Sequence, residues 1–255
     1  MTTGRRVLVH QDKQALADAV AVRFITKVVE LLGTRPEVNI VLTGGSVGIA
    51  VLASINASPE RDSIDWSRVV LWWGDERWVA DGDPDRNDQQ ARDALLDSVG
   101  LLDENVHPFP SPDDLDSLDD AAALYADELA AAGTDAAYPR FDITFLGVGP
   151  DGHIASLFPD YPGIRVTDAT VIAVRNSPKP PPERLSLTLP VINSSDRVWL
   201  VLAGSDKASA LGLALAGASH LEVPVAGVEG RRRTVYFVDQ DAAAEVPPEL
   251  IADEY

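Results

Sequence analysis

Four apolar runs in this chain each end in a glycine-bearing loop, and that recurrence limits the folds open to it. Val38 to Leu42 (VNIVL) leads into Thr43, Gly44, Gly45 and Ser46. Arg68 to Trp73 (RVVLWW) leads into Gly74, Asp75, Glu76 and Arg77. Phe141 to Leu146 (FDITFL) leads into GVGPDGH, Gly147 to His153, and Arg197 to Ala203 (RVWLVLA) leads into Gly204, Ser205, Asp206 and Lys207. Short apolar runs closed by turn residues read as strands. Helical periodicity separates them. Leu16, Val20, Phe24, Val28 and Leu31 share one helix face, with Asp12 as N-cap and Gly33 as the stop. Val47 to Ile55, a segment from Asp88 onward, Leu115 to Ala132 and the stretch to Ala216 are further helices. Arg5 to His10, Ala169 to Val174, Leu185 to Leu189 and Thr234 to Val238 complete the strands, with a short extended piece at Asn105 to Phe109. Strand and helix alternate throughout, which predicts an α/β fold with a mainly parallel sheet. No repeat, linker or composition break divides residues 1–255, so one domain is expected, with roughly 105–140 elaborating one edge.

In a parallel sheet the loops after the strands lie at one end and can converge. The chemistry of the four loops therefore adds up. TGGS between strand and helix places backbone N–H groups where an anion, usually phosphate, is bound. It is neither GxxxxGK[ST] nor a complete GxGxxG, and on its own a plain helix-capping turn explains it slightly better. GDER brings Asp75, Glu76 and the Arg77 guanidinium to a strand end. The acids that follow, Asp81 to Asp88, read as a solvated loop, and they lack the ligand pattern of an EF-hand. In GVGPDGH the glycines permit a tight turn and close ligand approach. His153 is the candidate general base or acid and Asp151 the residue to orient it; a capping turn with an exposed histidine is the alternative. Arg175 to Arg184 carries four prolines, at 178 and 180 to 182, which stiffen a loop bearing Arg175, Lys179 and Arg184. Lys207 falls in a first helical turn, where the helix dipole disfavours a cation unless an anion is near.

Composition trims the alternatives. With 21 basic against 40 acidic residues the formal net charge is −19, which argues against nucleic acid or an anionic membrane as partner. The four lysines are Lys13, Lys27, Lys179 and Lys207, so two of the four stand in candidate ligand loops. The chain has no cysteine, hence no disulfide, thiol nucleophile or thiolate metal site. MTTGRRVLVHQDK lacks the apolar core of a signal peptide, and no apolar run is long enough to span a bilayer, which makes the cytoplasm the expected location. His10, His107 and His220 are scattered, without metal-ligand spacing. Ser46, Ser156 and Ser205 have no GxSxG context. A phosphate cradle, cations and a histidine beside carboxylates suit an enzyme acting on a small phosphorylated molecule.

These residues carry a family resemblance that covers nearly the whole chain. LTGGS (42–46), WWGDERWV (72–79) with Asn87 downstream, FLGVGPDGHIASLFP (145–159), NSPKPPPERLSLTLPVIN (176–193) and LAGSDKASAL (202–211) together resemble the 6-phosphogluconolactonase family, within the sugar-phosphate isomerase/deaminase-like superfamily. Ile154 departs from the threonine or small residue common at that place. The resemblance implies a single Rossmann-like domain, its mainly parallel sheet flanked by helices on both faces. It also implies hydrolysis of 6-phospho-D-glucono-1,5-lactone to 6-phosphogluconate, in the oxidative pentose phosphate pathway, with no metal or cofactor. On that analogy His153 activates water, Asp151 orients it and Arg77 or glycine-loop amides stabilise the oxyanion. Gly44, Gly45, Ser46, Lys179, Arg184 and Lys207 contact the phosphate, with Asp75 and Glu76 as further site candidates. The partner is the phosphorylated lactone, and the expected state is a monomer or weak homo-oligomer. Two rivals share the fold. Glucosamine-6-phosphate deaminases follow DGHIA with a segment like FNEP, whose glutamate assists ring opening; here Ser156 to Pro159 offers no carboxylate. A non-catalytic sugar-phosphate sensor needs an attached DNA-binding module, which this chain does not offer.

Overall fold

The structure, a computed structural model, describes residues 5–134, 136–252 and 255. Met1 to Gly4, part of the stretch without leader character, lie outside the described residues, as do Asp135, Asp253 and Glu254. The strands are β1 (Arg5–His10), β2 (Val38–Leu42), β3 (Val69–Trp73), β4 (Asp75–Arg77), β5 (Ile143–Gly147), β6 (Val171–Val174), β7 (Arg184–Leu187), β8 (Arg197–Leu202) and β9 (Arg233–Asp239). The helices are α1 (Lys13–Leu32), α2 (Gly45–Ala57), α3 (Asn87–Ala94), α4 (Leu118–Ala132), α5 (Leu189–Asn193) and α6 (Ala208–Leu215), with short 3-10 turns between.

Six strands form one parallel sheet in the order β1-β9-β8-β5-β2-β3. Every residue of β2 and β3 is buried, because helices flank the sheet and leave neither face to water at its centre. Phe145 on β5 links the layers. Its ring lies 5.8 Å from Phe24 of α1 and 5.5 Å from Trp199 of β8. Local signals set the first helix. The Asp12 carboxylate accepts the Ala15 N–H at 2.8 Å, and Leu16, Val20, Phe24, Val28 and Leu31 form its buried stripe.

The strand order reverses at β2. From β2 the chain passes outward through α2 to β3, then returns to the other side of β2 as β5. The crevice at the carboxyl ends of β2 and β5 is a topological switch point, the place where α/β sheets bind ligands.

A second, three-stranded antiparallel sheet, β4-β7-β6, departs from strict strand and helix alternation. GDER is therefore not a free loop. After Gly74 the chain forms β4, paired to β7 with Asp75 opposite Ser186, Glu76 opposite Leu185 and Arg77 opposite Arg184. The strand expected at 185–189 begins one residue earlier and stops at Leu187, where α5 starts from Leu189. The piece expected at 105–109 makes only a single bridge, Val106 to Leu71.

Candidate active site

All the main loops meet in one cleft of about 320 Å³ at the switch point. Its walls include Gly44, Gly45, Ser46, Asp75, Arg77, His153, Lys179, Arg184 and Lys207.

Helix α2 supplies one wall. Its N-cap, Gly44, has no side chain to satisfy the first-turn amides, so those N–H groups remain available to a ligand. Glycine is required at 44 because a Cβ there would run into the Asn87 amide. Gly45 has φ +80, the left-handed region that favours glycine. Thr43 ties this loop to the next: its Oγ1 accepts the Gly147 N–H at 3.3 Å.

The loop after β5 carries the histidine. Gly149 N–H donates to the His153 carbonyl at 2.9 Å, closing a tight turn through Gly152 at φ +81. A Cβ on Gly149 would occupy the space of the imidazole. His153 Nδ1 lies 2.5 Å from Asp151 Oδ1. With Nδ1–H donating to that carboxylate, Nε2 is left as the free acceptor. Asp151 is not part of the cleft wall but stands behind His153. Burial alone would raise its carboxyl; the His153 hydrogen bond and charge, with Lys179 beyond, outweigh burial and hold it well below the usual carboxylate range. Phe158 packs on the imidazole with ring centroids 4.7 Å apart.

Lys179 reaches into the same corner, its Nζ 3.8 Å from Asp151 Oδ1 and 3.4 Å from His153 Nδ1. Burial lowers the lysine's proton affinity, Asp151 raises it, and Lys207 and Arg184 lower it further. Lys207 also lines the cleft, paired with Asp206 at 2.9 Å. The Arg184 guanidinium borders the cleft but is engaged in holding the proline loop. It donates to the carbonyls of Pro181, Lys179 and Pro180 at 3.2, 3.2 and 3.0 Å. Arg175 does not join the cluster; it pairs with Asp119 on α4 through two contacts of 3.1 and 2.7 Å. Its exposed position after β6 leaves it nearer that helix than the cleft.

The three residues of β4 divide by strand alternation. Asp75 and Arg77 line the cleft, whereas Glu76 does not. The Glu76 carboxylate is fully buried and accepts the N–H groups of Arg77, Asn87 and Asp88 at 2.8, 2.7 and 2.9 Å. Burial raises this carboxyl above the usual carboxylate range, against the opposing pull of Arg86 and those amides. It positions the start of α3, and so Asn87, against Gly44. Arg77 donates to the Asp85 carbonyl, while its Nε is buried without a partner. Asp75 accepts from the Ser156 hydroxyl at 2.7 Å and from Asn87 Nδ2 at 3.3 Å. Ile154 is buried and bridges Val148 and Leu157, away from the cleft wall.

Thr43, Asn87, Gly149 and Ser156 are contributors that residue-type reasoning did not single out as site residues. Asn87 stood in the family motif, but its close approach to Gly44 joins the starts of α3 and α2, which are remote in sequence. Among the described residues no group of three His, Asp or Glu side chains is arranged to hold a metal ion. No helix among them is long and apolar enough to cross a membrane.

The model of a family described as glucosamine-6-phosphate isomerases/6-phosphogluconolactonase matches residues 11–237. A 6-phosphogluconolactonase of Streptomyces coelicolor is 50% identical over 255 residues, covering 98% of each chain. One of Mycobacterium tuberculosis is 44% identical over 240 residues, covering 92% of this chain and 96% of the relative. Among solved structures, the 6-phosphogluconolactonase of Trypanosoma brucei superposes with a TM-score of 0.83 at 26% identity, over 96% of this chain and 100% of that one. A monomeric glucosamine-6-phosphate deaminase superposes at 0.76 with 18% identity, over 94% and 99%, a likeness of fold alone.

Proposed function

Since the chain belongs to the glucosamine-6-phosphate isomerase/6-phosphogluconolactonase family, we propose that its cleft hydrolyses 6-phospho-D-glucono-1,5-lactone through the His153–Asp151 pair. The observation that carries the mechanism is the 2.5 Å contact between Asp151 Oδ1 and Nδ1 of the cleft-lining His153, which leaves Nε2 free to act as the base. His153 Nε2 removes a proton from water as the water oxygen attacks C1 of the lactone. Charge passes to the carbonyl oxygen, and the tetrahedral intermediate needs a donor there. Arg77 fills that role as the guanidinium-bearing residue of the cleft wall, with the amides at the start of α2 as the rival donors. As the intermediate collapses, the bond from C1 to the ring oxygen breaks. His153 returns its proton to that oxygen, giving the open-chain acid. Asp151 holds the ring in the correct tautomer and stabilises the transient imidazolium.

The phosphate lies, on this reading, between the α2 amides at Gly44 to Ser46 and the ammonium groups of Lys179 and Lys207. Arg184 supports that site mainly by shaping the proline loop. Deamination is disfavoured by Ser156 to Pro159, which offers no carboxylate: Phe158, packed on the His153 ring, stands where a deaminase would carry its glutamate. A phosphorylated sugar substrate supports a cytoplasmic location, and a cleft built from one chain is compatible with a monomer or weak homo-oligomer.

The direct test is acid release from freshly made 6-phosphogluconolactone, measured beside ammonia release from glucosamine 6-phosphate. Lactone hydrolysis well above the spontaneous rate, without ammonia, is the expected result. Ammonia release supports the deaminase, and sugar-phosphate binding without either turnover supports the sensor.

A further inference from the structure

Lys179 stands where the phosphate site and the catalytic pair meet. Its backbone is fixed: the N–H donates to Ser177 Oγ at 3.2 Å, the carbonyl accepts from Arg184 at 3.2 Å, and prolines flank it on both sides. Only the side chain can move, and it is about two-fifths exposed. Its ammonium lies 3.8 Å from Asp151 Oδ1, the same oxygen that accepts from His153 Nδ1 at 2.5 Å. It also lies 3.4 Å from Nδ1 itself. That position opposes catalysis. When His153 takes a proton from water it becomes a cation, and a fixed ammonium beside the ring repels it. The ammonium also draws on the carboxylate charge that should stabilise the imidazolium. Among the described residues no other charged group contacts the ring. Phe158 covers one face, Arg184 lies 5.9 Å from the Phe158 ring, and Arg77 and Lys207 border the same cleft.

We propose that Lys179 is a positioning residue that couples the phosphate site to the base: in the empty cleft it rests on Asp151 beside His153, and a bound phosphate draws it away, leaving Asp151 to His153 alone. A phosphate dianion offers more charge than one shared carboxylate oxygen, and Lys207 and Arg184 crowd the same region with positive charge, which favours a dianion there. The substrate's remote phosphate then supplies part of the activation energy for chemistry at C1, binding energy used at the reacting centre. The inference rests on the lactonase reading and on His153 as its base.

The test uses unphosphorylated D-glucono-1,5-lactone with wild type, Lys179→Met and Lys179→Arg, with and without inorganic phosphite. Lys179→Met should hydrolyse this lactone about tenfold faster than wild type, judged by kcat/KM, because the opposing charge is gone. Phosphite should accelerate wild type and Lys179→Arg but not Lys179→Met. With the phosphorylated lactone the order should reverse, wild type being fastest. If Lys179→Met is no faster than wild type on the unphosphorylated lactone, and phosphite acts equally on both, Lys179 is a phosphate contact and nothing more. A second readout needs no turnover. In nitrogen-15 spectra, 6-phosphogluconate should move the His153 Nδ1 resonance of wild type toward its position in ligand-free Lys179→Met. No movement, or the same movement in Lys179→Met, overturns the coupling. Failure of wild type to hydrolyse the phosphorylated lactone would instead sink the lactonase reading, whatever the spectra show.

Discussion

Replacing Asp151 by Asn keeps the shape of the side chain and removes its charge, so it isolates what the carboxylate does for His153. The neutral amide oxygen can still accept Nδ1–H, and ring orientation should survive. The lost quantity is attraction between a carboxylate and the imidazolium that forms in the transition state. Unit charges about 4 Å apart in an effective dielectric of about 20 attract by about 4 kcal/mol. Asp151 is about a third exposed and shares the same oxygen with Lys179, so solvent and the ammonium screen the pair. About half of the attraction, roughly 2 kcal/mol, remains to be lost, which corresponds to an approximately 30-fold fall in kcat. KM should change little, because Asp151 stands behind the imidazole and does not line the cleft. The assay is initial-rate acid release from the phosphorylated lactone with the spontaneous rate subtracted. A variant within about threefold of wild type in kcat, or one that raises KM at constant kcat, would refute the assigned role.

Three further outcomes follow from the same geometry. Gly44→Ala drives a Cβ into the Asn87 amide, so it should cost about 1–3 kcal/mol of stability by urea unfolding and raise KM for the phosphorylated lactone; an unchanged midpoint and KM would contradict the close approach. Glu76→Gln puts an NH₂ where one carboxylate oxygen accepts a backbone N–H, and should destabilise by about 1–3 kcal/mol; an unchanged unfolding midpoint would show that those amides find other partners. Lys179 is lowered chiefly by burial, so its charge is present below its folded value and is lost as pH rises, earlier than for a free lysine. Binding of 6-phosphogluconate should therefore weaken on the alkaline side below the ordinary lysine range, a break absent from Lys179→Met; a break at the free-lysine position would refute this.

What the sequence shows plainly here is local. The β2 and β5 strands, the α1 cap at Asp12 and the GPDGH turn depend on residues within a few positions of one another, and their chemistry is visible in order along the chain. The second sheet is not of that kind. β4 is three charged-to-polar residues long, and its pairing with β7 joins Arg77 to Arg184 across more than 100 positions, which no periodicity reveals. The same pairing decides the fate of the site acids. Strand alternation turns Asp75 inward and Glu76 away, a distinction invisible while GDER reads as a loop. Among the cations, sequence identifies candidates but not their partners. Arg175 faces Asp119, Arg184 faces three carbonyls, and only the folded chain shows Lys179 beside Asp151 and His153.

The most direct test of the account is His153→Ala, assayed for hydrolysis of freshly prepared 6-phosphogluconolactone and, in parallel, for calorimetric binding of 6-phosphogluconate. The account predicts a fall in kcat of about 10²–10⁴-fold, the usual contribution of a positioned general base, with product affinity retained because the phosphate wall is intact. Undiminished lactone turnover in that variant would contradict it.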